Sequence, residues 1–203
     1  MPDQERRMTR DSALDVLARR RRDEVVVSTM TAVGPWRKRA GTDRDLFCVG
    51  FMGGASTLGL GVALARPDIP VWILDGDGSL SMQLGSLVTI ASATPQKFVH
   101  IVFHNGVYET SGAQPLPAEG CVSFAAMAEG AGYTKTVRFD DVEAFDAELD
   151  DLLDVDGPVL IELITQPADS FYQASPPPAK PTKSALARNW PSVHDALAAD
   201  PTN

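Results

Sequence analysis

Apolar residues in this chain gather into short, nearly unbroken runs, separated by longer stretches whose apolar positions recur at helical spacing. Val25-Val26-Val27, Val71-Trp72-Ile73-Leu74, Phe98 to Phe103 and Val159 to Ile164 are rich in β-branched and aromatic residues. Runs of that kind, without polar alternation, are strands covered on both faces. Tyr133–Val137 predicts one more strand, and Leu46 to Val49 leads into Gly50. Between them, helices are predicted over Ser79–Ala93, Ser123–Gly130 and Asp141–Leu153, and a small-residue helix runs from about Gly54 to Ala65. Near the start, Thr9 or Asp11 caps a helix whose apolar side is Ala13, Leu14, Val16 and Leu17. Strands alternating with helices imply an α/β fold: a three-layer parallel sheet with helices on both faces.

Three segments follow from this pattern. Residues 1–23 form an N-terminal helix joined to the domain, residues 24–165 form the α/β domain, and residues 166–203 form a Pro-rich arm containing Pro176-Pro177-Pro178 and Pro181. A short helix is expected in the arm near Ser192–Ala199. Trp190 is a large apolar side chain in a polar neighbourhood, and both docking of the arm on a partner subunit and plain disorder remain open. Thr31 to Asp45 holds Gly34, Pro35 and Gly41 with four basic residues, and predicts a mobile loop over the sheet edge.

Composition adds limits. With 44% hydrophobic and 22% charged residues the chain has the balance of a soluble globular protein, so one domain plus tails is the economical organisation. A formal charge of −9 argues against general binding to nucleic acid or to anionic membranes. The run Arg19-Arg20-Arg21-Arg22 does not change that, because basic side chains favour a helix C-terminus and Asp23-Glu24 follow at once. Cys48 and Cys121 lie far apart outside any CxxC pattern, which predicts reduced, buried thiols. No stretch has the length of a membrane span and the N-terminus lacks a leader pattern, so a cytoplasmic location is expected.

The most informative chemistry is Gly76-Asp77-Gly78-Ser79 followed by Asn105. The 26 intervening residues, 79 to 104, are enough for one helix and one strand to bring the chain back to the same sheet edge. Parallel sheets place ligands at the carboxyl ends of their strands, beside helix N-termini that attract phosphate. A carboxylate and an amide oxygen placed there suit Mg²⁺, which fills its octahedral shell with phosphate oxygens and water.

On these residues the chain resembles the thiamine diphosphate (ThDP) enzymes, whose signature is Gly-Asp-Gly followed at such a spacing by Asn. The segments from Gly50 to Ser56 and from Asn105 to Pro115 are similar to the small subunit of sulfopyruvate decarboxylase and to the C-terminal part of phosphonopyruvate decarboxylase. The resemblance runs from about Ser12 to Ile164.

It implies that ThDP and Mg²⁺ are the cofactors. The ion would be held by Asp77, Asn105 and the carbonyl of Val107. Gly76, Gly78, Ser79, Gly53 and Tyr108 would line the cofactor, with Ser28 and Thr29 near its diphosphate or pyrimidine edge. Met52 would support the bent cofactor from below. For proton transfer the chain offers His104, Tyr108 and Glu109 near the site, and His100 and His194 with less reason. The glutamate that activates the cofactor in this family lies on a separate pyrimidine-binding domain. A pyrimidine-binding, alpha-type partner subunit is therefore expected, in a hetero-oligomer inactive without it.

The implied reaction is decarboxylation of a 2-oxo acid, a 3-sulfo- or 3-phosphonopyruvate. Arg37, Lys38, Arg39 and Arg44 are candidates to meet its anionic group. A split carboligase of the acetolactate synthase type and a non-catalytic subunit keeping the fold stay open. A nucleotide-binding dehydrogenase domain fits less well, because the glycines from Gly50 to Gly61 do not spell GxGxxG and Asp77–Asn105 would have no role.

Overall fold

Residues 8–117, 120–168 and 185–198 are described in the computed structural model of this chain. Every buried apolar run named above becomes a strand of one sheet. The strands are β1 (Met8–Thr9), β2 (Val25–Thr29), β3 (Asp45–Cys48), β4 (Val71–Gly76), β5 (Phe98–His104), β6 (Val107–Tyr108), β7 (Gln114–Pro115), β8 (Lys135–Phe139) and β9 (Pro158–Gln166). Seven of them form a sheet in the order β1-β9-β5-β4-β2-β3 with β8 also on β9, and every pairing in it is parallel. β6 and β7 make a separate antiparallel pair.

The helices are α1 (Arg10–Arg20), α2 (Val33–Ala40), α3 (Ala55–Ala65), α4 (Asp77–Ser81), α5 (Gly85–Ala93), α6 (Phe124–Ala131), α7 (Val142–Leu153) and α8 (Ala185–Ala198). They cover both faces. Val26, Trp72, Leu74, Ile101 and Ile161 pack toward α1, α2 and α7, while Val27, Ile73, Val102 and Leu160 pack toward α3, α5 and α6. Successive strand residues point to opposite faces, so two apolar layers need the unbroken runs seen in the sequence. Capping matches as well: the Thr9 hydroxyl accepts from Ser12 N–H at 3.0 Å, and Ser123 and Asp141 cap α6 and α7. No helix among the described residues is long and apolar enough to cross a membrane.

Four expectations need correction. The expected loop at Thr31–Asp45 is mostly helical, a 3₁₀ turn at Met30–Ala32 running into α2. Pro35 sits in the first turn of α2, where no N–H is missed, and Arg37, Lys38 and Arg39 occupy the last turn, where the helix dipole favours cations. Trp36 anchors α2 with no exposed surface, its indole N–H donating to Asp45 Oδ1 at 3.3 Å.

The single helix expected over Ser79–Ala93 is two helices. Between α4 and α5, Met82 N–H donates to Ser79 O and Gln83 N–H to Leu80 O, three residues back instead of four, which tightens the chain and redirects it.

Near the C-terminus the helix is longer than expected and seats on its own chain. Leu186, Val193 and Leu197 join the core, and Asn189 bonds Phe47 N–H and the Asp45 carbonyl on the edge strand β3. Covering an edge strand hides its unpaired backbone groups. The rest of the Pro-rich arm, residues 169–184 and 199–203, lies outside the described residues.

The cysteines also differ from one another. Cys48 is buried, and burial, reinforced by Asp75, pushes its thiol up to about 11, whereas Cys121 is exposed.

Candidate active site

The strand order reverses between β2 and β4: from β2 the chain steps outward to β3, then crosses back over β2 to β4. Crevices at the carboxyl ends of strands open at such a point. A cleft lies there, lined by Thr29, Met30 and Thr31 after β2, Gly76 to Ser79 after β4, and Asn105, Val107 and Tyr108 after β5.

β4 and β5 run in register, with Gly76 opposite Phe103, so the chain leaves both strands at the same height. Asp77 is buried at the start of α4 and gathers the two turns around its carboxylate. Its Oδ1 accepts from Gly78 N–H at 2.7 Å, and its Oδ2 accepts from Asn105 N–H at 2.8 Å and Gly106 N–H at 2.7 Å. Gly106 sits at φ +78°, a turn open to glycine that aims both N–H groups at one oxygen. Asn105 Oδ1 accepts from Val107 N–H at 3.0 Å. A carboxylate has about four lone-pair positions, and three are used here, which leaves one for a single-point contact with a cation.

Burial pushes the Asp77 carboxyl above its ordinary range, and the Gly106, Gly78 and Asn105 N–H donors and the nearby His104 oppose that shift. A divalent ion would settle the same conflict. Asp77, Asn105 and the Val107 carbonyl are hard oxygen donors of the kind Mg²⁺ prefers, and the backbone at Gly76 faces open space wide enough for another group to approach. The residues therefore fit a magnesium-bound diphosphate.

Other expected site residues divide. Thr29, Met52, Gly76, Gly78, Ser79, Val107, Tyr108 and Glu109 all line the cleft. Tyr108 lies so close over Gly78 that a Cβ there would come within 2.6 Å of its ring. Ser28, Gly53 and His104 do not line it. Ser28 is fully buried in the sheet, and Gly53 stands behind the cleft wall, donating its N–H to Ser79 Oγ at 2.9 Å.

His104 shares the β5 face of Val102 and turns toward α6. Its Nδ1 lies 2.7 Å from Glu162 Oε1 and its ring meets Phe124 edge-on at 5.2 Å. These contacts engage its ring on the α6 side, away from the cleft lining. His100 is buried between Asp75 at 3.2 Å and Tyr133 at 3.3 Å, and His194 is on the exposed side of α8. None of Arg37, Lys38, Arg39 or Arg44 lines the cleft. Arg37 stacks over Phe47, Arg39 pairs with Asp15 at 2.5 Å, and Arg44 donates to the Asp23 carbonyl at 2.9 Å.

Glu162 is fully buried. Desolvation would raise its carboxyl, but the His104 hydrogen bond and the Ala125 N–H outweigh it and hold the group below the ordinary 4.5. A depressed carboxylate contributes stability above its unfolded pKa and loses it as pH falls through the folded one. Glu162→Gln is expected to cost about 2 kcal/mol at pH 7, since it disrupts the buried hydrogen bonds that the carboxylate makes with His104, Ser123 and the Ala125 N–H. In urea titrations that deficit should shrink steadily below the ordinary 4.5, because the wild type loses the same contribution there.

Arg10, Met30, Thr31 and Thr165 line the cleft without having been expected. Met30 takes φ +46°, a strained backbone at the strand end for which the sequence carries no mark. Arg10 did leave a sign: a cation in the first turn of a helix opposes the dipole.

Comparison with known proteins decides the family. Residues 32–163 match the family described as thiamine pyrophosphate enzyme, C-terminal TPP binding domain. The chain belongs to the thiamine pyrophosphate enzyme family. Phosphonopyruvate decarboxylase of Streptomyces viridochromogenes is 40% identical over 187 residues, which cover 91% of this chain and 46% of that protein. Sulfopyruvate decarboxylase subunit beta of Methanothermobacter thermautotrophicus is 36% identical over 127 residues, 63% of this chain and 65% of that one. The chain thus spans less than two thirds of either relative.

Among solved structures, 4-hydroxybenzoylformate decarboxylase of Rhodococcus jostii superposes with a TM-score of 0.66 at 22% identity, over 81% of this chain and 34% of that one. Benzoylformate decarboxylase of Polynucleobacter necessarius gives 0.65 at 19%, over 78% and 33%. Both share the fold of this thiamine pyrophosphate enzyme domain.

Proposed function

We propose that this chain is the diphosphate-binding subunit of a heteromeric ThDP-dependent 2-oxo acid decarboxylase, acting on a 3-sulfo- or 3-phosphonopyruvate to give an aldehyde and CO₂. The observation that carries this reading is the Asp77–Asn105–Val107 oxygen set at the switch-point cleft, in a chain whose relatives are named phosphonopyruvate and sulfopyruvate decarboxylases.

When bound, ThDP supplies the electron sink for loss of CO₂. The chain's own part is to hold and orient. Asp77, Asn105 and the Val107 carbonyl would hold the ion, and Ser79 together with the open backbone at Gly76 would face the diphosphate. Met52 gives the cofactor an apolar support, Tyr108 closes over Gly78, and the buried floor of Thr29 and Phe103 keeps water out. Glu109 is buried and tied to Arg10 at 2.9 Å and to Ala168 N–H at 2.9 Å, so it positions that arginine.

The activating glutamate comes from a pyrimidine-binding partner subunit. Two observations support a partner: the relative's name, subunit beta, and the exposed apolar side chains Phe51, Met82, Leu84 and Val88 around the segment that carries Met52, where Gly53 lies against Gln83. Co-expression with a pyrimidine-binding subunit tests the proposal. Decarboxylation of sulfopyruvate or phosphonopyruvate is expected from the pair and from neither subunit alone. Turnover of pyruvate to acetolactate would point to a carboligase, and no turnover of any 2-oxo acid would contradict the proposal.

A further inference from the structure

Resting on that reading, an anionic substrate entering this cleft needs a cation, and among the described residues that line it Arg10 is the one basic side chain. The acidic side chains there are Asp75, Asp77 and Glu109. Asp77 is committed to three backbone N–H groups and Asp75 to Gly76 N–H and His100, so both lie in the floor. Glu109 spends one oxygen on Arg10 Nη1 and the other on Ala168 N–H.

Arg10 is not spent in return. Its Nε is buried without a hydrogen-bond partner among the described residues, and its guanidinium has five donors, of which this ion pair takes one. Thr165, at the carboxyl end of β9, is 1% exposed, lines the same cleft, and its Oγ1 also finds no partner among the described residues. Buried donors are rarely left unpaired, and two of them on one cleft wall mark a place built for an acceptor. Helix stability does not account for Arg10 either, since it stands at the positive end of α1.

We propose that Arg10, oriented by Glu109 and assisted by the Thr165 hydroxyl, receives an acidic group of the substrate and makes this wall of the cleft its anion subsite. That group is a carboxylate or a C3 sulfonate or phosphonate. All three accept from a guanidinium fork and a hydroxyl.

The test is labelling of the full chain with phenylglyoxal in the presence of Mg²⁺ and ThDP, with Arg10 read by peptide mass spectrometry. Sulfopyruvate is expected to slow its modification. Protection by pyruvate as well assigns the carboxylate, and protection by sulfopyruvate and phosphonopyruvate alone assigns the C3 anion. No protection by any of them, or full protection by Mg²⁺ and ThDP before substrate is added, overturns the proposal.

In the active pair, Arg10→Ala and Thr165→Val should raise KM about 10- to 100-fold, with Arg10→Lys partly restoring it and ThDP affinity unmoved. An unchanged KM in Arg10→Ala with wild-type turnover present sinks the subsite and leaves the decarboxylase standing. Substrate protection of Arg10 without turnover by any pair does the reverse.

Discussion

Asp77→Asn is expected to lower Mg²⁺-dependent ThDP affinity at least about 100-fold, near 3 kcal/mol, as measured by calorimetric titration. The side chain keeps its size but loses its charge, and one of its oxygens becomes an amide that faces backbone N–H groups instead of accepting from them. The ion therefore loses its strongest ligand while the turns that carry Asn105 and Gly106 loosen. Since burial holds the Asp77 carboxyl above the ordinary 3.8, Mg²⁺ affinity in the wild type should begin to fall at a higher pH than an exposed aspartate would give. Equal ThDP affinity in Asp77→Asn and wild type would remove the carboxylate from the cofactor site.

Trp36→Ala should be the most destabilising single substitution away from the cleft, costing about 4 kcal/mol in urea unfolding at 25 °C. Its ring has no exposed surface and belongs to the same buried apolar layer as Ala32, Val26, Trp72 and the inner side of α1. It also covers the ion pair of Arg21 Nη1 with Asp45 Oδ1, 2.7 Å apart, whose guanidinium stands 5.4 Å from the ring centre. Removing the indole leaves a cavity beside a buried charge pair and takes away one donor from Asp45. Against a total of about 5–15 kcal/mol for a domain, that is a large share. A loss below about 1 kcal/mol would mean that α2 is the mobile loop its glycines and proline suggest.

The contrast between these two sites shows what sequence can carry. β4, β5 and β9 were legible because buried parallel strands need unbroken apolar runs, and the Asp77–Asn105 spacing was legible as one helical crossover and one strand, although the break between α4 and α5 inside that crossover was not. α2 was not, because Gly34 and Pro35 are compatible with both a loop and a helix's first turn. Its deciding contacts are Trp36 on the core and Arg39 on Asp15, neither of them local. His104 adjoins Asn105 in sequence, yet the strand pleat sends it toward Glu162, 58 residues away. Arg10 reaches the cleft only by meeting Glu109, 99 residues along the chain. Long-range side-chain pairing leaves no period in the sequence, whereas packing of whole elements does.

The most direct measurement is a crystal structure of this chain with ThDP and Mn²⁺, the ion located by its anomalous scattering. One peak is expected within about 2.0–2.3 Å of an Asp77 carboxylate oxygen, Asn105 Oδ1 and the Val107 carbonyl, with diphosphate oxygens completing the shell. An ion bound elsewhere, or ThDP bound with no ion between those three oxygens, would contradict it.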